Sequence, residues 1–388
     1  MVSDVGLLPW FARLRDEVPG AEVLDAHTHL GSNDPDGYRC SRVELVAALE
    51  SVDGRALVFP MHEPDGYPAA NDMVIAEAEA SEGRLFPFCR LDPHDAPLAE
   101  ARRSLANGAR GIKLHPRAEG FNLDHPELQD VFAFADEQRL PILCHAGRGI
   151  PALGRHAVEV CSRYPGLRLI LAHAGISDLS WIWREAPAHP NLFFDTAWWS
   201  PSDLQALFAL VPPAQILMAS DAPYATPAYG ATMAMRHGLQ VGLRPEVVRE
   251  ILGGQARRLV EREDTLDLGP APGIESLSRD PLLERVYSFL LSAIGQMFAG
   301  VEPTETLALA ALACDVDAEA PHGPIYDAIM GLLEARASYD PAGDGRPPHF
   351  APGLHFIVVA AALARTPDVP LPDDPLRFAV GGSGSSAR

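Results

Sequence analysis

The chain has 388 residues, of which 47% are hydrophobic, and its mean hydropathy is near zero. That is enough chain for a large core and more than one domain, in a soluble, globular protein. The formal net charge is −21, from 52 acidic against 31 basic side chains, and so acidic a surface repels a phosphate backbone, so no nucleic-acid partner is expected.

Met1 to Trp10 has no basic stretch and carries Asp4, so no signal peptide is expected. From there short β-rich runs alternate with helical stretches. The predicted strands are Glu22–Ala26, Ala56–Phe59, Leu85–Leu91, Gly111–His115, Pro141–His145, Leu167–Ala172, Asn191–Thr196 and Gln215–Ser220. Several are near-continuous apolar runs, as parallel strands covered on both faces require. Helices are predicted between them: Arg42–Glu50 behind a Ser41 cap, Asn71–Ser81 after the turn at Pro68, Ala96–Asn107 stopped by Gly108, Pro126–Gln138, Ser202–Leu210 and Pro245–Leu252. Eight strands alternating with helices imply a (β/α)8 barrel. A doubly wound sheet is the competing arrangement, but no Gly-rich phosphate loop follows the first strand.

The pattern changes after Arg262. Leu268–Gly273 reads as a linker or a tight surface crossing, and beyond it only helices are predicted: Pro281–Ala299, Pro303–Cys314, Pro324–Ala337 and Pro352–Ala364. Val286–Val301 is the longest uncharged apolar stretch, too short for a membrane span, and reads as a core helix. These helices are expected to form a helical domain or to cover the barrel or a second subunit. The expected division is a barrel over residues 1–265, a helical region over 275–370 and a flexible tail over 371–388, with a mobile loop at Asp340–Pro348. Five scattered cysteines with no CxxC pair fit a reducing cytoplasm. Cys144, beside His145, is expected to face away from it.

In such a barrel the active site lies at the C-terminal ends of the strands, and the polar residues fall there. His27 and His29 close strand 1, and at i and i+2 on extended chain they point the same way. Strand 4 places Lys113 and His115 on one face. Strand 5 ends at His145, strand 6 at His173 and strand 8 at Asp221. Lys113 is the one lysine among the 31 basic residues. An amine can lose its proton when desolvated, react with CO2 to form a carbamate, or act as a base, whereas a guanidinium stays charged. A lone His-x-His is a weak signal, but this ordered set reads as a metal site for Zn2+ first, and for Mn2+, Fe2+ or Ni2+.

Five segments resemble the amidohydrolase superfamily, in its amidohydrolase-related (amidohydrolase 2) branch: Asp25-Ala-His27-Thr-His29, Gly111-Ile-Lys113-Leu-His115-Pro116, Ile142-Leu-Cys-His145-Ala-Gly, Leu169-Ile-Leu-Ala-His173-Ala-Gly and Ser220-Asp221-Ala-Pro-Tyr224. The segment Ile251-Leu-Gly253-Gly-Gln255-Ala-Arg-Arg-Leu259 is similar to the one that ends the barrel there, with Gln255 where asparagine is usual. The resemblance spans about residues 20–262. It implies His27, His29, His145 and Asp221 as direct ligands of the more buried ion, and Asp221 as the group that orients the water or takes its proton. It implies His173 as an acid/base or electrophilic partner or a ligand of a second ion, and Lys113 as a carbamate bridge or a free amine for a substrate carboxylate.

A divalent ion bound there lowers the pKa of a coordinated water to about 7 and polarises a carbonyl. The expected activity is metal-dependent hydrolysis of an amide, ester or lactone in a small, carboxylate-bearing substrate. Non-oxidative decarboxylation on the same scaffold is the main alternative, and a catalytically silent barrel serving in binding or assembly is a third. Arg90 and Arg148 are candidate carboxylate binders or structural ion pairs. His62 and His115 are candidate pocket residues, with His115 alternatively a partner of Asp221. Trp198, Trp199 and Tyr224 are candidates either to floor a pocket for a flat ligand or simply to pack a loop. A cytoplasmic homo-oligomer acting on small molecules, away from membranes, is expected.

Overall fold

The computed structural model describes residues 6–375 apart from 151, 278, 318 and 340–351. The expected mobile loop and most of the expected tail lie outside the described residues. Eight parallel strands form one sheet in sequence order: β1 (Val23–Leu30), β2 (Gly54–Pro60), β3 (Leu85–Arg90), β4 (Gly111–Leu114), β5 (Pro141–Cys144), β6 (Arg168–Leu171), β7 (Leu192–Asp195) and β8 (Ile216–Leu217). The chain just past β8 closes the barrel on β1. Ala26 N donates to Met218 O (2.9 Å), Asp221 N to His27 O (2.9 Å) and His29 N to Ala222 O (2.8 Å).

The outer helices begin where the chain supplies a cap. Ser41 and Glu44 form a reciprocal capping box on Arg42–Glu50, and proline opens Pro68–Glu79, Pro97–Ala106, Pro126–Gln138 and Pro201–Leu210. Two expectations are corrected. Strand 1 runs on to Leu30, because His29 and Leu30 still pair with Phe59 and Pro60, so His27 and His29 lie inside β1 rather than beyond its end. The helix from Pro245 becomes a π-turn at Glu250–Gly254. There Gly253 presses on β1, and a Cβ at that position would lie 2.5 Å from Glu22 O.

Two apolar layers hold the barrel. Leu24, Leu57, Phe88, Leu143, Ile170 and Leu217 fill its interior. Ile112, Leu114, Cys144, Leu169 and Leu171 face the helices, so Cys144 does point away from His145. The alternation of strand side chains separates the two layers. Gln255, fully buried, donates to Ala214 O and Leu266 O (both 3.0 Å) and accepts from Leu266 N (3.0 Å).

The C-terminal helices are Pro281–Phe298, Thr304–Ala313, Gly323–Ala337 and Leu354–Arg365. They pack on one another, and Leu354–Arg365 lies on barrel helix Pro201–Leu210. The chain before them is a tight crossing, with Gly273 N held by Ala209 O at 2.7 Å. Tyr287 OH accepts from Ser202 Oγ at 2.8 Å. Arg365 pairs with Glu284 and lies over the Tyr287 ring at 3.9 Å. Fully buried Arg236 donates to Thr366 Oγ1 (2.9 Å) and Thr366 O (2.7 Å) just beyond the last helix. No described helix is long and apolar enough to cross a membrane.

Candidate metal centre

The period of two in β1 turns the His27 and His29 rings to one side, 5.2 Å apart. Asp25 fixes the backbone beneath them. Its Oδ1 accepts from His27 N (3.1 Å) and Ser220 N (2.9 Å), tying β1 to the chain after β8. That chain places Asp221 at φ 63°, in the left-handed region. A non-glycine residue is strained there, and such strain concentrates at functional sites. Asp221 Oδ1 lies 3.2 Å from His27 Nε2 and 3.1 Å from His29 Nε2. The ligand atoms of His27, His29 and Asp221 all lie within 4.8 Å of one another, a group able to hold a metal ion. On its other side His27 Nδ1 meets Asp195 Oδ2 at 2.7 Å. A carboxylate there accepts a hydrogen bond from Nδ1–H, which keeps the proton on Nδ1 and leaves the Nε2 lone pair free for an ion.

His173, also at positive φ (57°), donates through its backbone N–H to Asp195 Oδ1 at 2.7 Å. Its ring Nδ1 lies 2.7 Å from Ala197 O, and its Nε2 lies 3.0 Å from His145 Nδ1. A carbonyl only accepts, so His173 carries its proton on Nδ1 and accepts at Nε2, and His145 is then protonated on Nδ1. His145 Nε2 is left as a buried lone pair with no protein partner among the described residues. His145 thus stands outside the three-residue group, joined to it through His173. Gly147 allows the loop to wrap these rings, since a Cβ there would lie 2.7 Å from His173 Cδ2.

Lys113 is fully buried. Its Nζ lies 3.2 Å from His27 Nε2 and 4.3 Å from the centre of the Phe59 ring, on the barrel interior. His115 stacks on His145 at 4.1 Å rather than pairing with Asp221. Arg90 is buried in an ion pair with Glu119 (2.7 Å), which also accepts from Tyr67 OH, so its charge is already matched. Tyr224 bonds Asp34 and sets its ring 5.6 Å from His29. Trp198 stands 6.2 Å from the His173 ring and donates to Asp203. His62, after β2, is half-buried, with Nδ1 unpartnered among the described residues. Arg148 is exposed on the loop after β5.

The family model described as amidohydrolase matches residues 24–262. The chain belongs to the amidohydrolase family. Three solved structures are similar to it. They are an uncharacterized TIM-barrel protein from Bordetella bronchiseptica (16% identity, 62% of this chain and 99% of that one, TM-score 0.49), a 5-carboxyvanillate decarboxylase from Sphingomonas paucimobilis (17%, 62% and 99%, 0.49), and a 4-oxalomesaconate hydratase from Rhodopseudomonas palustris (14%, 62% and 96%, 0.46). Comparison with curated proteins finds no match.

Burial dominates the electrostatics of this amidohydrolase site. It pushes the carboxyls of Asp25 and Asp195 up to about 7 and that of Asp221 to about 6. It pulls the Lys113 amine down to about 7, and it holds His27, His29, His115 and His145 well below the ordinary histidine value. Neutral imidazoles are the form that ligates metal. Asp25, Asp195 and Glu119 escaped the sequence reading. Asp195 ends β7 as Asp221 follows β8, so its place at a strand end was the available signal.

Proposed function

We propose that the protein is a metal-dependent hydrolase that cleaves an amide, ester or lactone bond in a small, carboxylate-bearing substrate. The observation that carries this reading is the group of buried His27 and His29 with half-buried Asp221 at the barrel mouth. A divalent ion held there, Zn2+ by this donor set, would supply an acidified water and polarise the scissile carbonyl. The chain does the rest. Asp195 holds His27 in the tautomer that presents Nε2. Asp221, with its carboxyl raised to about 6, is ionised at neutral pH yet near enough to its pKa to take up and return a proton. His173, fixed by Ala197 O and lying 3.9 Å from Asp221 Oδ2, is the second proton-handling group, with His145 behind it as a further ligand or relay. Lys113 serves as a neutral amine or, after adding CO2, as a carbamate ligand to a second ion.

One observation favours non-oxidative decarboxylation as a second reading. A carboxyl raised to about 6, as that of Asp221 is, can take up a proton close to neutrality and pass it to a carbon that has lost CO2. Elemental analysis of purified protein, with hydrolytic and CO2-release assays over a panel of small carboxylates, tests both. His27→Ala and Asp221→Ala are expected to lose metal and turnover together. Metal-free wild-type protein, or full metal retention in His27→Ala, would overturn the metallo-enzyme in favour of a silent barrel.

The five cysteines are free and buried, which fits a cytoplasmic location. Leu291, Leu309 and Leu312 on the C-terminal helices and Val301 between two of them are exposed, which fits a homo-oligomer. Light scattering in solution checks the second point.

A further inference from the structure

Phe298 brings the C-terminal helices to the barrel mouth. Phe298, the last residue of helix Pro281–Phe298, sets its ring 5.0 Å from that of Trp199 on the loop after β7. Trp199 in turn lies 5.8 Å from Trp198, and Trp198 lies 6.2 Å from His173. Phe298 also carries the Arg148 guanidinium 5.3 Å from its ring centre. Arg148 stands three residues after His145. The contacts therefore run from His173 outward along three aromatic rings and return to the loop that holds His145. The barrel supplies both ends of this circuit, and the C-terminal extension supplies its middle.

Two guanidiniums, those of Arg148 and Arg117, lie at this rim. Among the described residues, neither Arg148 nor Arg117 has a carboxylate partner, although the protein has a net charge of −21. Both are exposed, and Arg117 packs over Gly149 in the Arg148 loop, so that a Cβ on Gly149 would meet Arg117 Nε at 3.0 Å. Two unmatched guanidiniums beside a wall of indole and phenyl rings bind an anion through charge-assisted hydrogen bonds and a flat ring by stacking.

We propose that the C-terminal extension completes the substrate pocket, with Phe298 closing a wall of Trp198 and Trp199 and Arg148 and Arg117 forming its cationic rim, so that the site takes a flat aromatic ring bearing an acidic group. The inference rests on reading the barrel mouth as the substrate site, and it makes Phe298 a specificity residue rather than a catalytic one.

The test is calorimetric binding of three probes to the full-length protein: benzoate, cyclohexanecarboxylate (equal charge, no flat ring) and benzamide (flat, uncharged). Wild type should bind benzoate about tenfold more tightly than either of the others. Phe298→Leu keeps the apolar packing and removes the ring. It should cut benzoate affinity about fivefold to tenfold, leave cyclohexanecarboxylate unchanged and leave metal content unchanged. Phe298→Tyr should restore benzoate binding, and Arg148→Gln should bring benzoate down toward benzamide. Wild type that does not distinguish benzoate from cyclohexanecarboxylate, or Phe298→Leu that binds benzoate like wild type, overturns the pocket. Absence of metal from wild type instead overturns the metallo-enzyme reading, because all three probes are compared on one preparation.

Discussion

Lys113 is where a single atom's placement has the largest consequence. Its amine is fully buried and 3.2 Å from the nitrogen of His27 that faces Asp221. An arginine there would force a larger, permanently charged group into closed space. Lys113→Arg is expected to cost about 1–3 kcal/mol of stability from overpacking and turnover on the order of 100-fold from displaced ligands, read by thermal unfolding and kinetics. Near-normal turnover and metal content in that variant would deny the lysine a special role. Asp195→Asn should keep the fold but release the His27 tautomer, weakening metal binding by about tenfold to 100-fold in a competition titration. Asp221 also sets a pH dependence. Its folded value is raised from 3.8 to about 6, so the metal-free folded state holds a proton that the unfolded chain has lost. That contribution to stability is complete below 3.8 and disappears as pH rises through 6. An ion must displace this proton, while the histidines, held well below their ordinary value, offer no competing proton there. Metal affinity should therefore fall about tenfold per pH unit below 6, and a flat profile between pH 5 and 6 would contradict the assignment.

At the scale of elements, the centre depends on how the end of the barrel meets its beginning. The chain after β8 hydrogen-bonds to β1 and carries Asp221 to His27 and His29. The π-turn behind them presses Gly253 against the start of β1. Gly253→Ala should push these two segments apart. We expect a loss of about 1–3 kcal/mol with weakened metal retention, measured together by calorimetry and elemental analysis. Unchanged stability would show that the close approach is not required. Strand 1 illustrates why boundaries were harder to read than existence. Its last residues are histidine, threonine and leucine, and nothing local distinguishes a strand that stops at Ala26 from one that runs to Leu30. Pairing with Phe59 and Pro60 decides it.

Across the whole molecule, the C-terminal helices share one apolar layer with the barrel's outer helices. Truncation after Arg262 would uncover the Pro201–Leu210 helix and remove the partners of Ser202, Gln205 and Arg236. The product is expected to aggregate, because apolar faces of that size do not stay in water. A soluble and fully active fragment would separate the two parts. The division of the chain near residues 265–275 is thus proposed as a boundary of sequence pattern, across which packing is continuous.

Strand and helix alternation, the single lysine and the histidines at strand ends were legible without coordinates, because period and residue type are local properties and a barrel converts position along a strand into position around one mouth. The partnerships between strands were not legible. Asp195 behind His27, Glu119 matching Arg90, His115 stacked on His145 and Phe298 beside Trp199 join residues from 29 to 168 positions apart. Charge neutralisation and ring contact depend on distances of a few ångströms that only the closed barrel and its docked helices define. The sequence by itself determined the chemistry on offer at the mouth. The tertiary structure decided which nitrogens are free to use it, since burial and hydrogen-bond partners, not residue identity, assign the protons.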